Sequence, residues 1–175
     1  MGKAVKVKKV KLFIGVIFKD LPLLAAIKKI LTAKFGIIDL ESHILEFDYT
    51  NYYEKELGAN LKRKFFSFRN LISGDKISAI KVITNRLEKN FSKDGRRCLN
   101  LDPGYLNDAK IILATIKDYS HRIYLKDGIY AETTMVFSKT AFKPYPWTYP
   151  DYQSKEYIEI FNQIRSIFMQ QRKNV

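Results

Sequence analysis

Three stretches of this chain hold side chains that can do chemistry at strand spacing. They are Arg97-Cys-Leu-Asn-Leu-Asp-Pro-Gly-Tyr105, Thr115-Ile-Lys-Asp-Tyr-Ser-His-Arg-Ile-Tyr-Leu125 and Gly128-Ile-Tyr-Ala-Glu132. Apolar residues alternate there with Arg, Asn, Asp, Lys, His and Glu. A sheet built only for stability needs little of that variety, so the pattern reads as the wall of a pocket. Arg97, Lys117 and Arg122 are suited to phosphate or carboxylate groups, Arg through its bidentate fork. Asn100 and Asp102 share one strand face and can hold a ribose hydroxyl, a metal or a water, while Tyr105 or Trp147 can stack on a planar ligand. His121 can act as general acid or base with Glu132 orienting it, and Asp102 is the third catalytic candidate.

The register of one hairpin decides which pair forms. A two-residue turn at Asp127-Gly128 sets His121 opposite Thr134, with Glu132 diagonal. A three-residue loop from Lys126 sets Arg122 opposite Glu132. A plain cross-strand ion pair on a solvated face is the alternative to a functional role. Glu46 and Asp48 make a second carboxylate pair, which can bind a divalent cation, act as acid and base if their environments differ, or simply face water. Asp102-Pro-Gly-Tyr105 reads as a turn, in which Asn and Asp can serve only their own backbone. Lys81, Asn85 and Glu88 read as the outer stripe of an amphipathic helix, with Lys81 able to reach a phosphate.

The elements that must position these residues follow from hydrophobic period. Val10–Phe18 is apolar almost throughout, as in a central strand covered on both faces. Asp20 and Pro22 open a helix that Gly36 can close. Residues 43–49 and 61–69 read as strands, and a helix capped by Ser73 or Asp75 carries Ile77, Ile80, Ile83, Leu87 and Phe91. Strands are expected at 97–101, 109–117, 121–125 and 129–137. The proline-rich segment 143–152 reads as a crossing loop, and a last helix frays from Gln170. This order predicts an α+β fold: a ferredoxin-like split β-α-β core with a largely antiparallel sheet, extra C-terminal strands and a C-terminal helix.

The chain has 175 residues, the size of one domain spanning 1–175, and 46% are hydrophobic, enough for a substantial core. Its 31 Lys and Arg against 18 Asp and Glu give +13. That balance suits anionic partners, or only a solvated lysine-rich surface. Cys98 is the only cysteine, so neither an internal disulfide nor a cysteine-rich zinc site is available. The basic start followed by Leu12–Phe18 resembles a secretory signal, but the apolar run is short and ends at Lys19-Asp20 without a cleavage motif. Lys6 excludes a myristoylation motif. No segment matches a membrane span, so no membrane partner and a cytoplasmic location are expected.

Phosphate loops of the G-x-x-x-x-G-K-[ST] and G-x-G-x-x-G types are absent. In Thr115-Ile-Lys-Asp118, Lys and Asp are adjacent, unlike the guanine-reading N-K-x-D element. The two histidines, His43 and His121, open no H-x-[ST] repeat, and no serine sits in a nucleophile elbow.

Several longer motifs run through the chain: Phe47-Asp-Tyr-Thr-Asn-Tyr-Tyr53, Asn100-Leu-Asp-Pro-Gly-Tyr105, Ala114-Thr-Ile-Lys-Asp118, His121-Arg-Ile-Tyr-Leu125, Gly128-Ile-Tyr-Ala-Glu132 and Trp147-Thr-Tyr-Pro-Asp-Tyr152. Their succession resembles the prokaryotic family catalogued as domain of unknown function 4416, over nearly the whole length. Some members carry the label GTP-binding protein, which implies nucleotide binding.

The functional expectation is a small anionic ligand or nucleotide, GTP included, bound in a polar pocket of the C-terminal half. A hydrolase or transferase using His121 and Glu132, with or without a metal, is the first alternative. An RNA-binding module displaying the aromatic and basic residues of 61–69 is the second. Cofactor, metal requirement and oligomeric state have no signature in the residues.

Overall fold

The computed structural model describes residues 2, 3 and 7–173. Lys6, whose identity excluded myristoylation, lies outside the described residues. The element order begins β1 (Lys11–Phe18), α1 (Leu21–Phe35), β2 (Ile38–Glu41), β3 (Leu45–Glu46), α2 (Glu54–Leu57), β4 (Lys62–Phe68) and α3 (Ile77–Asn90). It continues with β5 (Leu99–Leu106), β6 (Lys110–Thr115), β7 (Arg122–Lys126), β8 (Ile129–Ser138), β9 (Ala141–Pro144) and α4 (Lys155–Lys173). The strands form one sheet in the order β2-β4-β1-β5-β6-β8-β7, with β3 on β4 and β9 on β8. The pairings are antiparallel. The chain is therefore α+β, with a large antiparallel sheet and a C-terminal helix.

β1 is buried at all eight positions, as its continuous apolar run requires of a strand covered on both faces. Leu12, Ile14, Val16 and Phe18 pack with Leu24, Ile27 and Leu31 of α1 and Ile77, Ile80 and Leu87 of α3. Phe13 points the other way and packs with Tyr157, Phe161 and Phe168 of α4. The strand's two-residue period thus divides one run between two cores. Each fully buried large apolar side chain contributes about 1.5–3 kcal/mol.

The helix signals act as expected at α1. The Asp20 carboxylate accepts from the Leu23 N–H at 2.9 Å, and Gly36 ends the helix at φ 97°. α4 continues as helix through Lys173, so the fraying expected from Gln170 does not occur there. Gln171 donates to the Arg69 carbonyl at 3.0 Å and accepts from the buried Lys11 at 2.8 Å. Contacts with β1 and with the residue that follows β4 outweigh the polarity of that last turn.

Two expectations fail in ways that shape the site. Asp102-Pro-Gly-Tyr105 is not a turn but the middle of β5. Its Pro103 lies opposite Ile14 of β1. Residues 43–49 are not one strand: only Leu45 and Glu46 pair, and a separate β2 precedes them. Glu46 and Asp48 are exposed. The Phe65, Phe66 and Phe68 side chains of β4 are completely buried, so they offer no stacking platform for RNA.

The hairpin combines both registers considered for it. The turn has two residues, Asp127 and Gly128, both at positive φ, and Lys126 faces Ile129. A shift between Tyr124 and Lys126 then moves the ladder by one residue, so that Arg122 faces Glu132. A bulge of this kind re-aims the side chains beyond it.

Candidate functional site

The site begins where the sheet comes apart. β5 pairs with β1 from Leu99 to Leu106, but with β6 only at Gly104, Tyr105 and Leu106. β6 continues beside β8 as far as Thr115, so β5 and β6 diverge beyond Gly104. Pro103 has no N–H to extend that ladder. Main-chain groups alternate sides along a strand, which puts the next donor at Leu101. Its N–H bonds to the Glu88 carboxylate at 2.7 Å, and its carbonyl accepts from Lys81 at 2.8 Å. Two side chains of α3 thus take the place of a neighbouring strand. Lys81 and Glu88 are buried against the sheet and Asn85 is half-buried; they are not the solvated stripe their spacing suggested.

The split opens a cavity of about 670 Å³, within the range of small-ligand pockets. β5 contributes Asn100 and Asp102 to it, and Leu113–Lys117 follow the departing β6. Tyr49, Tyr52 and Tyr53 form one wall, with Tyr149 and Asp151 on the loop before α4. α3 reaches the cavity from one side of the sheet; the Tyr53 and Tyr152 segments reach it from the other.

Arg63 is the centre of its polar floor. Its side chain is 2% exposed, with Asp102 at 2.7 Å and Asp151 at 2.9 Å. Phe47, Phe65 and Tyr152 surround the guanidinium, with ring centroids 5.2, 5.5 and 5.7 Å away. Gly15 makes this contact possible. It lies opposite Phe65 on one side and Asp102 on the other, so Arg63 and Asp102 meet above a residue that has no side chain. A Cβ there would stand 2.8 Å from Arg63 Nη1 and 2.9 Å from Phe65 Cε1.

From Arg63 the polar chain continues outward. Asn100 Nδ2 donates to Asp102 Oδ1 at 2.8 Å, and Asn100 Oδ1 accepts from Arg97 at 3.0 Å. Arg97 grips Glu56 with Nε at 2.7 Å and Nη2 at 2.6 Å, and reaches Glu88 at 2.9 Å. α2, the source of Glu56, is thereby fastened across the open side of the sheet.

The two carboxyls on Arg63 are driven apart. Burial pushes Asp102 up, but the charges of Arg63 and Lys81 and hydrogen bonds from Arg63 and Asn100 outweigh it, leaving Asp102 below its ordinary value. Burial dominates at Asp151, which is raised despite Arg63. Burial also raises Glu88, against the pull of Lys81 and Arg97. Tyr53 is raised by burial and by the charge of Asp102.

A second cluster borders the first. Arg122 Nε donates to Glu132 at 2.8 Å, Nη2 to the Tyr149 hydroxyl at 2.7 Å and Nη1 to the Lys117 carbonyl at 3.0 Å. His121 Nε2 lies 3.3 Å from the same Glu132 oxygen, and its ring stacks on Trp147 with centroids 5.2 Å apart. Trp147 donates to the Thr133 carbonyl at 2.9 Å and stacks on Tyr145. Lys117 projects over the Tyr52 ring, 4.1 Å from its centroid, and donates to the Tyr52 hydroxyl at 2.9 Å.

Of the residues singled out by sequence, Arg97, Asn100, Asp102, Lys117 and Glu132 line the cavity. Arg122 joins them through Glu132 and Tyr149, whereas His121 and Trp147 form a stack beside it. Tyr105 does not belong to the group: it faces Gly74 and borders a separate hollow with Lys8 and Arg172. Sequence reading missed Arg63 and Glu88 as site residues, together with Tyr149 and Asp151, and gave Lys81 a reach toward phosphate rather than its bond to the Leu101 carbonyl. The motif Trp147–Tyr152 was the available signal for the last two.

Arg63, Lys81, Arg97 and Lys117 line the cavity together with Glu88, Asp102, Glu132 and Asp151, so charges of both signs balance there. Among the described residues no three His, Cys, Asp or Glu side chains gather as a metal-binding group. No helix among them is long and apolar enough to cross a membrane. No curated protein and no solved structure matches the chain significantly. A family profile with the description "Domain of unknown function (DUF4416)" matches residues 8–168, and the chain belongs to that family.

Proposed function

We propose that this protein binds a small anionic ligand, most simply a nucleotide, in the cavity between β5 and β6. The observation that carries the reading is a ligand-sized hollow with a hydrogen-bonded floor at Asn100 and Asp102, tyrosine walls and Lys117 at its rim. A planar base suits the tyrosines, hydroxyl or amino donors suit the carboxylate floor, and the ammonium suits the anion. The scaffold is in turn read as a ferredoxin-like split β-α-β core extended by β6–β9. In support, β2-β4-β1-β5 stand in sequence across the sheet, and α1 and α3 pack on the same face.

Thermal unfolding with and without nucleotides tests this function. At a ligand concentration of 100 Kd the expected stabilisation is about 2.7 kcal/mol. No shift with any nucleoside or nucleotide at millimolar concentration would sink the reading.

A second reading, a hydrolase or transferase, draws its support from Asp102 and Asp151. Two carboxyls held on one guanidinium and displaced in opposite directions suit a base and an acid. His121 and Glu132 are less suited, since Glu132 is already engaged by Arg122 and His121 is stacked on Trp147. Turnover of a bound ligand by wild-type protein, lost in both Asp102→Asn and Asp151→Asn, would establish it.

A further inference from the structure

Charge alone does not make the cavity a phosphate trap, because its inner cations are already committed. Arg97 is held by Glu56 and Glu88, and Arg63 by Asp102 and Asp151. Lys81 is spent on the Leu101 carbonyl. A phosphate pushed to the floor would meet Asp102 and Asp151 and would have to displace one of them. Like charges in a partly desolvated site repel strongly.

The rim is different. Lys117 is exposed, has no carboxylate partner among the described residues and is steadied on the Tyr52 ring. The floor offers acceptors: the Asp102 carboxylate is 23% exposed and accepts one bond at each oxygen, leaving further lone-pair positions.

We infer that the ligand is a nucleoside monophosphate seated base inward, its donors toward Asp102 and its single phosphate at Lys117. This rests on the nucleotide reading above and adds the ligand's orientation and phosphate count. The walls favour a planar head, because Tyr49, Tyr52 and Tyr53 line the cavity together, Tyr52 and Tyr53 edge to face with centroids 5.0 Å apart. Among the described residues lining the cavity, Lys117 is the cation left without a carboxylate or carbonyl partner, and one such cation serves one phosphate. A second and third phosphate would extend beyond Lys117 into solvent and gain little there.

Calorimetric titration of the purified full chain tests the inference. The probes are the four common nucleosides, their 5′-mono-, di- and triphosphates, ribose 5-phosphate and inorganic phosphate. For the preferred base, affinity should rise about tenfold from nucleoside to monophosphate, as one charge-assisted hydrogen bond allows. It should then stay within about threefold through the triphosphate, since screened charges in solvent add little. Lys117→Ala should abolish the first step, so that monophosphate and nucleoside bind with equal affinity. Asp102→Asn should weaken nucleoside and monophosphate alike, with its fold checked by circular dichroism.

A further rise of about tenfold with each added phosphate would overturn the inference. So would ribose 5-phosphate binding as tightly as the monophosphate, or Lys117→Ala weakening nucleoside and monophosphate equally. Because Lys117 is at the surface, that last arm does not depend on how Asp102→Asn folds. Failure of every nucleoside and nucleotide to bind would instead refute the broader reading.

Discussion

Arg63 shows how one side chain can serve both stability and a site. Buried in a ring of aromatics, it keeps its charge because two carboxylates and the surrounding rings compensate its desolvation. Removing one carboxylate leaves an incompletely compensated buried cation. Asp102→Asn should therefore cost about 3 kcal/mol at pH 7 in urea unfolding. Its folded-state value lies below the unfolded one, so the ionised form stabilises the fold. That contribution is fully present above the ordinary carboxylate value of about 3.9 and is lost as pH falls through the lower folded value. Wild type and Asp102→Asn should accordingly converge in stability at the acid end of a pH series. A constant difference from pH 7 to pH 2 would contradict the ionic role. Asp151 runs the other way, since burial raises it; its contribution is present below the unfolded value and lost as pH rises through the folded one.

At the scale of elements, a strand's neighbour decides what its residues do. The central strand β1 was legible because its apolar run is unbroken, and α1 because Asp20 and Gly36 bracket it. The hairpin's turn was legible in Asp127-Gly128, but its register was not, because the shift before Lys126 has no local signature. Pro103-Gly104 imitates a turn locally; that it ends the β5–β6 ladder depends on which strand lies alongside. Arg63 stood among the basic residues of 61–69 expected to be displayed, and only the register placing it near Gly15 explains its burial. Lys81 and Glu88 looked solvated because their partner is the main chain of Leu101, which composition cannot reveal. Gly15→Ala should push on Arg63 and Phe65 and destabilise by about 1–3 kcal/mol, as overpacking does, measurable as a lowered melting temperature. Glu88→Ala should cost about 3 kcal/mol or more, because it strands the Leu101 N–H and loosens Arg97. An unchanged melting temperature for Glu88→Ala would mean that the Leu101 N–H has another partner.

For the whole molecule, the +13 charge and the balanced cavity do different work. The excess belongs to the exterior, where salt screens it over about 8–10 Å, so nucleotide affinity should change far less with salt than non-specific polyanion binding does. Titration at 50 and 300 mM salt measures both. The sheet ends at β7, whose Ile123 and Tyr124 are 71% and 57% exposed. Such an edge promotes association, and Ile123→Lys should raise the concentration at which light scattering first detects oligomers. The divided sheet has one more consequence. Among the described residues, Gly104–Leu106 and Ile111–Leu113, with the Asn107–Lys110 bond of their turn, stitch its two halves together across β5 and β6, so the seam can breathe while the flanking ladders stay closed. Deuterium should reach the Leu101 amide sooner than those of β1, and an occupant bridging Asp102 and Lys117 should act as a rivet that slows it.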